Sequence, residues 1–280
     1  MLALFNFKAI LVTALVFIPL EMLLPLHKGQ KLFRRHWLND SVYLVCNGAL
    51  IRLGVPALLA TLFALAYRLV PHGTAALVQS QPIWLQAIEV LVVADLGFYL
   101  AHRCFHAVPA LWKFHAIHHS IEELDWLAAH RVHPVDQIVT KTASYLPVFL
   151  LGFSLEAVGI FALIYQWQAL VIHSNNRLGL GPLKLLLATP HFHHWHHANE
   201  AEAFDKNFAG QLPLLDKIFG TLFFPKAWPA RYGTDEPVPT LYPQQLAYPL
   251  RRSVPKAKVP DSTWQAPEVE PVAAAGIQAQ

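Results

Sequence analysis

Residues 90–119 read VLVVADLGFYLAHRCFHAVPALWKFHAIHH, an apolar run interrupted only by Asp95 that passes directly into His102-Arg-Cys-Phe-His106 and closes on His115-Ala-Ile-His118-His119. Side chains at i, i+3 and i+4 share one face of a helix, about 5–6 Å apart at Cβ. HxxxH and HxxHH are therefore helical ligand spacings, set here at the end of a segment apolar enough to enter a bilayer. A second HxxHH, His193-His194-Trp195-His196-His197, repeats the pattern nearer the C-terminus, and His173 ends another apolar stretch. His102, His106, His115, His118, His119, His173, His193, His196 and His197 together offer nine imidazoles, more than one tetrahedral or octahedral ion can use. Two metal ions are the economical expectation. Imidazole suits iron, zinc, copper and nickel alike, so the ligand type does not choose among them.

Working outward, the 280-residue chain is 55% hydrophobic and only 14% charged, the composition of a membrane protein. A formal charge of +3 with dispersed basic residues leaves no nucleic-acid footprint. Cys46 and Cys104 form no CxxC and read as free thiols. A bilayer core takes about 20 apolar residues of helix, and residues 2–24, 42–70 and 83–101 are the expected spans. The longer stretch 138–172, interrupted by Gly152 and Ser154, reads as a helical hairpin. Residues 178–188 are too short to cross and read as an interfacial element. Lys28, Lys31, Arg34 and Arg35 crowd one loop while residues 71–82 carry no Lys or Arg, which places the 25–40 loop, and with it every histidine box, in the cytoplasm. The expected fold is thus all-α, a multispanning transmembrane helical bundle under a cytoplasmic histidine-rich helical cap. Isolated His27, His36 and His72 read as surface or interfacial residues, and His191 and His194 as bystanders within their box.

A zinc protease box would read HExxH, with the glutamate as general base. None of these boxes carries it, which weakens hydrolysis and favours metals that activate an oxidant. Metal-bound imidazoles usually give their second N–H to a carboxylate or carbonyl. Asp95, seven residues before His102 and inside an apolar segment, is a carboxylate in need of such a role, and Asp136 and Asp205 are similar candidates.

The ordered motifs Asp95…Tyr99…His102-Arg-Cys-Phe-His106, Trp112-Lys-Phe-His115-Ala-Ile-His118-His119-Ser120, His133-Pro134-Val135-Asp136, His173-Ser174-Asn175 and Thr189-Pro190-His191-Phe192-His193-His194-Trp195-His196-His197 closely resemble the fatty acid hydroxylase / sterol desaturase superfamily. So do Asp205-Lys206-Asn207-Phe208 and Leu214-Leu215-Asp216-Lys217-Ile218-Phe219-Gly220-Thr221. The resemblance implies a membrane-bound, non-haem di-iron, O2-dependent oxidoreductase acting on a lipid C–H bond, with the nine histidines above as ligands. Zinc could occupy the same imidazoles on purification. By the same resemblance His130 and His133 sit in a segment like that of the C5-sterol desaturases and are ligands or neighbours of ligands. Lipid hydroxylation is the leading expectation; C5-sterol-type desaturation or a zinc-dependent membrane hydrolase are the alternatives. A non-catalytic metal carrier would line a path through the bilayer instead of clustering histidines beyond helix ends. With no His-Pro-Gly-Gly haem segment and no G-x-G-x-x-G fingerprint, electrons are expected from a separate donor, and the substrate is a lipid or sterol-like molecule from the bilayer. The expected organisation is N-terminal transmembrane helices over 1–82, a di-metal catalytic domain over 83–225, and a Pro-rich, partly disordered tail over 226–280.

Overall fold

A computed structural model describes residues 7–69 and 72–251. These described residues form ten α-helices, in order α1 Phe7–Leu23, α2 Trp37–Leu69, α3 His72–Gln79, α4 Ile83–Ala107, α5 Pro109–His119, α6 Pro134–Leu150, α7 Leu155–His173, α8 Pro190–His196, α9 Pro213–Phe219 and α10 Tyr242–Ala247. No strand forms among the described residues; two isolated bridges, Pro25 to Asn176 and Ala198 to Tyr232, pin loops together.

Local sequence accounts for the boundaries. Proline opens α5, α6, α8 and α9, where its missing N–H has no partner to lose. Thr189 caps α8 by accepting from the Phe192 N–H, and Ser154 caps α7 through the Ala157 N–H. Between α6 and α7 the chain reverses at Gly152, whose φ of +82° suits glycine. Residues 138–172 thus form the helical hairpin anticipated from Gly152 and Ser154. Among the described residues, two helices, α4 and α7, are long and apolar enough to cross a membrane; the other expected spans correspond to α1, with 17 described residues, α2, with 33, and α6.

Helices α4, α6 and α7 bury Val90, Ala94, Val148, Ala157 and Phe161 against one another. Gly97 lets α4 and α6 approach closely, since a Cβ there would strike the carbonyl of Ala143. This packing delivers the C-terminal end of α4, the first turn of α6 and the last turn of α7 to the same end of the bundle. Helices α5 and α8 lie across that end. Beneath them, Arg34 pairs with Asp125 (2.7 and 2.6 Å) and with Asp40 (2.7 Å), and Arg131 pairs with Asp40 (2.9 Å), all four side chains being buried. Arg34 is therefore an internal structural ion and not one of the loop charges that set orientation. Likewise His27 is buried, its Nε2 3.1 Å from the Tyr232 hydroxyl, because the C-terminal segment folds back over it. The same segment brings Tyr242 against Tyr43 (ring centroids 4.7 Å) and buries Tyr248. The tail from residue 252, with its expected disorder, lies outside the described residues.

Candidate metal centre

The nine histidines converge in two sets. His102, His106, His115, His119 and His196 bring their ring nitrogens within 4.8 Å of one another, and His118, His173, His193 and His197 do the same. Each HxxHH box divides between them. His115 and His119, one turn apart, serve the first set while His118 faces the second; His193 and His197 serve the second while His196 faces the first. The sets adjoin, with the His119 and His197 rings stacked at 4.7 Å between centroids.

Six of the nine have their outer nitrogen held by the protein, whereas Nδ1 of His193 and of His197 is buried without a hydrogen-bond partner. His102 Nδ1 donates to the Phe208 carbonyl (2.7 Å), His118 Nδ1 to the Arg131 carbonyl (3.0 Å), His173 Nδ1 to the Ala169 carbonyl (2.7 Å) and His196 Nδ1 to the Lys206 carbonyl (2.8 Å). A carbonyl can only accept, so these Nδ1 atoms carry the proton and each Nε2 presents a lone pair. His115 Nδ1 lies 2.6 Å from Asp136, and His106 Nδ1 3.4 Å from Asp205. Carboxylate or carbonyl acceptors behind imidazoles are the usual support of metal-bound histidine.

The facing nitrogens then test whether metal fits. His118 Nε2 and His173 Nε2 stand 3.1 Å apart, both lone pairs, and His106 Nε2 is buried without a hydrogen-bond partner. His102 to His115, His119 to His196, His173 to His193 and His193 to His197 repeat the spacing at 2.9–3.1 Å between Nε2 atoms. Two nitrogens bound to one ion at about 2.1 Å and near a right angle stand about 3 Å apart. A cation at each centre supplies what these lone pairs lack, so the donor sets fit two metal ions. Protonation does not compete. Burial, reinforced in most by neighbouring imidazoles, holds His115, His118, His119, His193, His196 and His197 well below the ordinary imidazole pKa, leaving them neutral. Burial also raises the Asp136 carboxyl to about 8, so positive charge beyond His115 is what would ionise it near neutrality.

The remaining sequence candidates lie elsewhere. Asp95 touches no imidazole: its carboxylate accepts from the backbone N–H groups of Gly210 (3.0 Å), Gln211 (2.9 Å) and Leu212 (2.7 Å). It thereby shapes the loop whose Phe208 carbonyl holds His102, acting one step behind the role expected of it. His133 caps α6, accepting from the Val135 N–H and lying 3.3 Å from the Leu246 carbonyl, while His130 lines a cavity; neither joins either set. His194 and His191 also stand outside both sets, against the Tyr232 hydroxyl and the Ala227 carbonyl. Residues not singled out as supports complete the shell: buried Asn207, with φ +59°, ties Phe192 to Phe223, and Asp216 accepts from the N–H groups of Phe208 and Ala209. The Asp205–Phe208 and Leu214–Thr221 motifs carried that signal.

A cavity of about 850 Å³ ends on this centre. His102 and His115 of the first set and His118, His173 and His193 of the second form its floor, and α1, α2, α6 and α7 form its walls, with Thr13, Leu44, Leu163 and Trp167 among the lining residues.

Fold and site together define an all-helical protein with two imidazole-rich clusters able to hold metal ions at the end of a cavity. Residues 87–221, which include all nine clustered histidines, match the fatty acid hydroxylase family, and this domain of the chain belongs to that superfamily. It is 31% identical over 172 residues to the ornithine lipid hydroxylase OlsE of Rhizobium tropici, covering 61% of this chain and 52% of that protein. It is 38% identical over 156 residues to human alkylglycerol monooxygenase, covering 55% of this chain and 34% of that protein, and 28% identical over 212 residues to the Caenorhabditis elegans enzyme of the same name, covering 74% and 40%. The chain thus matches about half or less of the length of these relatives. No solved structure matches it significantly.

Proposed function

We propose that the protein is a membrane-bound, O2-dependent lipid hydroxylase whose nine clustered histidines hold two iron ions. The observation that carries this reading is the cavity floor, where imidazoles of both sets meet one space reached between α1, α2, α6 and α7. The relatives named for lipid hydroxylation and alkylglycerol monooxygenation support oxygen insertion over desaturation and over zinc hydrolysis. A bound iron pair supplies reductive activation of dioxygen and removal of hydrogen from an aliphatic C–H bond. The balance is RH + O2 + 2 electrons + 2 protons giving ROH and water, with the electrons from a separate donor protein.

The chain's own residues bind and orient. Asp136 and the carbonyls of Phe208, Arg131, Ala169 and Lys206 keep Nδ1 protonated and turn Nε2 inward. Phe98, Leu163, Trp167 and Leu170 offer apolar surface to an alkyl chain and exclude water from the floor. In this reading α4 and α7 cross the bilayer, α1, α2 and α6 complete the bundle, the histidine end faces the cytoplasm, and exposed Leu183 and Leu186 rest on the membrane surface.

Membranes expressing the protein, incubated with reductant and isotopically heavy dioxygen, test the proposal. The expected product is a lipid that has gained one heavy oxygen atom, made by protein that carries two irons per chain when purified anaerobically. Loss of a hydrogen pair without added oxygen would indicate a desaturase. Turnover with zinc alone, without O2 or reductant, would indicate a hydrolase.

A further inference from the structure

Lys141 lies on α6 and faces the cavity, half-buried, with its Nζ 5.4 Å from the centre of the Tyr165 ring. Among the described residues it forms no ion pair and no hydrogen bond. The nearby carboxylates are committed elsewhere, Asp136 to His115 and Asp95 to three backbone N–H groups. An ammonium in a largely apolar space is costly without a partner. Its place is defined by a wall running from the metal centre: His102 packs on Phe98 (5.2 Å), Phe98 on Tyr165 (6.0 Å), and Tyr165 lies under Lys141. Along α6 it sits five residues beyond Asp136, roughly 7 Å of helix axis. The same cavity holds a second unused polar group, Gln211 Oε1, which is buried and accepts no hydrogen bond. A cavity for plain hydrocarbon requires neither group.

Resting on the lipid-oxidising reading above, we propose that Lys141 anchors an anionic group, a carboxylate or phosphate, carried by the lipid substrate itself, and so sets which carbon reaches the metal centre. Gln211 Oε1 receives a hydroxyl or amide N–H of the same polar portion. Lys8 also lines the cavity but is exposed on the first turn of α1, where its charge can reach polar surroundings.

The test is binding, read by quenching of Trp126 and Trp167, which line the cavity, in full-length protein in neutral-lipid nanodiscs. The probes are dibrominated octadecylphosphonic acid, which is ionised at neutral pH where the ammonium keeps its proton, and its uncharged dimethyl ester. Hydrogen bonds to charged groups contribute about 1.5–3 kcal/mol, so wild type is expected to bind the acid about 10- to 100-fold more tightly. Lys141→Met should erase that preference while leaving ester affinity unchanged; Lys141→Arg should keep it, and so should Lys8→Met. The inference is overturned if wild type binds both probes alike, if Lys141→Met retains the preference, or if Lys8→Met abolishes it. Should inorganic phosphate tighten ester binding in wild type, Lys141 holds a free anion beside a neutral lipid and the assignment also fails. Failure to oxidise any lipid would sink the hydroxylase reading instead, while leaving the binding preference measurable.

Discussion

At the scale of single residues, function depends on which nitrogen of each imidazole is protonated, and that is set by atoms behind the ring. Among the described residues, Asp136 is the one buried carboxylate bonded to a clustered histidine, 2.6 Å from His115 Nδ1. Asp136→Asn keeps the shape and removes the charge, and changes to such supporting partners typically cost about 10–100-fold in metal affinity or activity. The expected result is that loss in iron retention, measured by titration with a competing chelator, with helix content unchanged. Asp95→Asn should behave differently. An amide cannot accept from all three N–H groups of residues 210–212 and turns a donor toward at least one of them, which costs about 1–3 kcal/mol for each buried group left unsatisfied. A lowered unfolding temperature, with a smaller loss of iron than in Asp136→Asn, is the expected pair of measurements. Equal iron loss in both variants would contradict the assignment of Asp95 to the loop.

Among the elements, the contact between α4 and α6 carries the site, because it sets His102 beside His115 and Asp136. At Gly97 even a methyl group would meet the backbone of Ala143 and Ser144, which cannot move as a flexible side chain can. Gly97→Ala is expected to destabilise the protein by about 1–3 kcal/mol, the usual cost of overpacking, and to weaken metal binding through displacement of α4. Thermal unfolding and iron content of the purified variant check both effects. Gly159→Ala on α7, where nothing lies within 4 Å of the added Cβ, should leave iron content unchanged and slightly raise the unfolding temperature, because alanine favours a helix interior over glycine.

For the whole molecule, the histidine-rich end is held neutral by burial, and stability should follow pH accordingly. His27 and His130 are lowered to about 4, in both cases chiefly by burial. In an unfolded chain the same groups titrate near 6.5, so below that pH the unfolded state binds more protons than the folded one. Their contribution is fully present above about 6.5 and is lost as pH falls toward about 4. Metal-free protein should therefore lose unfolding temperature as pH falls across that window, while the Asp136 carboxyl, raised to about 8 without metal, loses its contribution as pH rises toward 8, so that the unfolding temperature passes through a maximum near neutrality. Metal removal itself should lower the unfolding temperature at neutral pH, since ions that bind only the folded state stabilise it by mass action and the facing Nε2 lone pairs lose their partner. An unfolding temperature unaffected by chelation would count against both donor sets.

The sequence by itself determined the set of histidines that cluster and the helical fold, because i, i+4 spacing and apolar run length are local properties that any helix expresses. His115 with His119, His193 with His197 and the reversal at Gly152 were legible for that reason. Only the tertiary structure decided how each HxxHH box divides between two centres, because His118 and His173, or His119 and His196, meet only after helices far apart in the chain have packed. It also decided the partners behind the rings. Backbone carbonyls of Phe208, Arg131 and Lys206 hold three imidazoles, and a carbonyl has no side-chain identity for a sequence to display. For the same reason Asp95, which reads as a partner of His102, turns instead to the backbone of residues 210–212, and Lys141 gains significance only from the cavity that three-dimensional packing places before it.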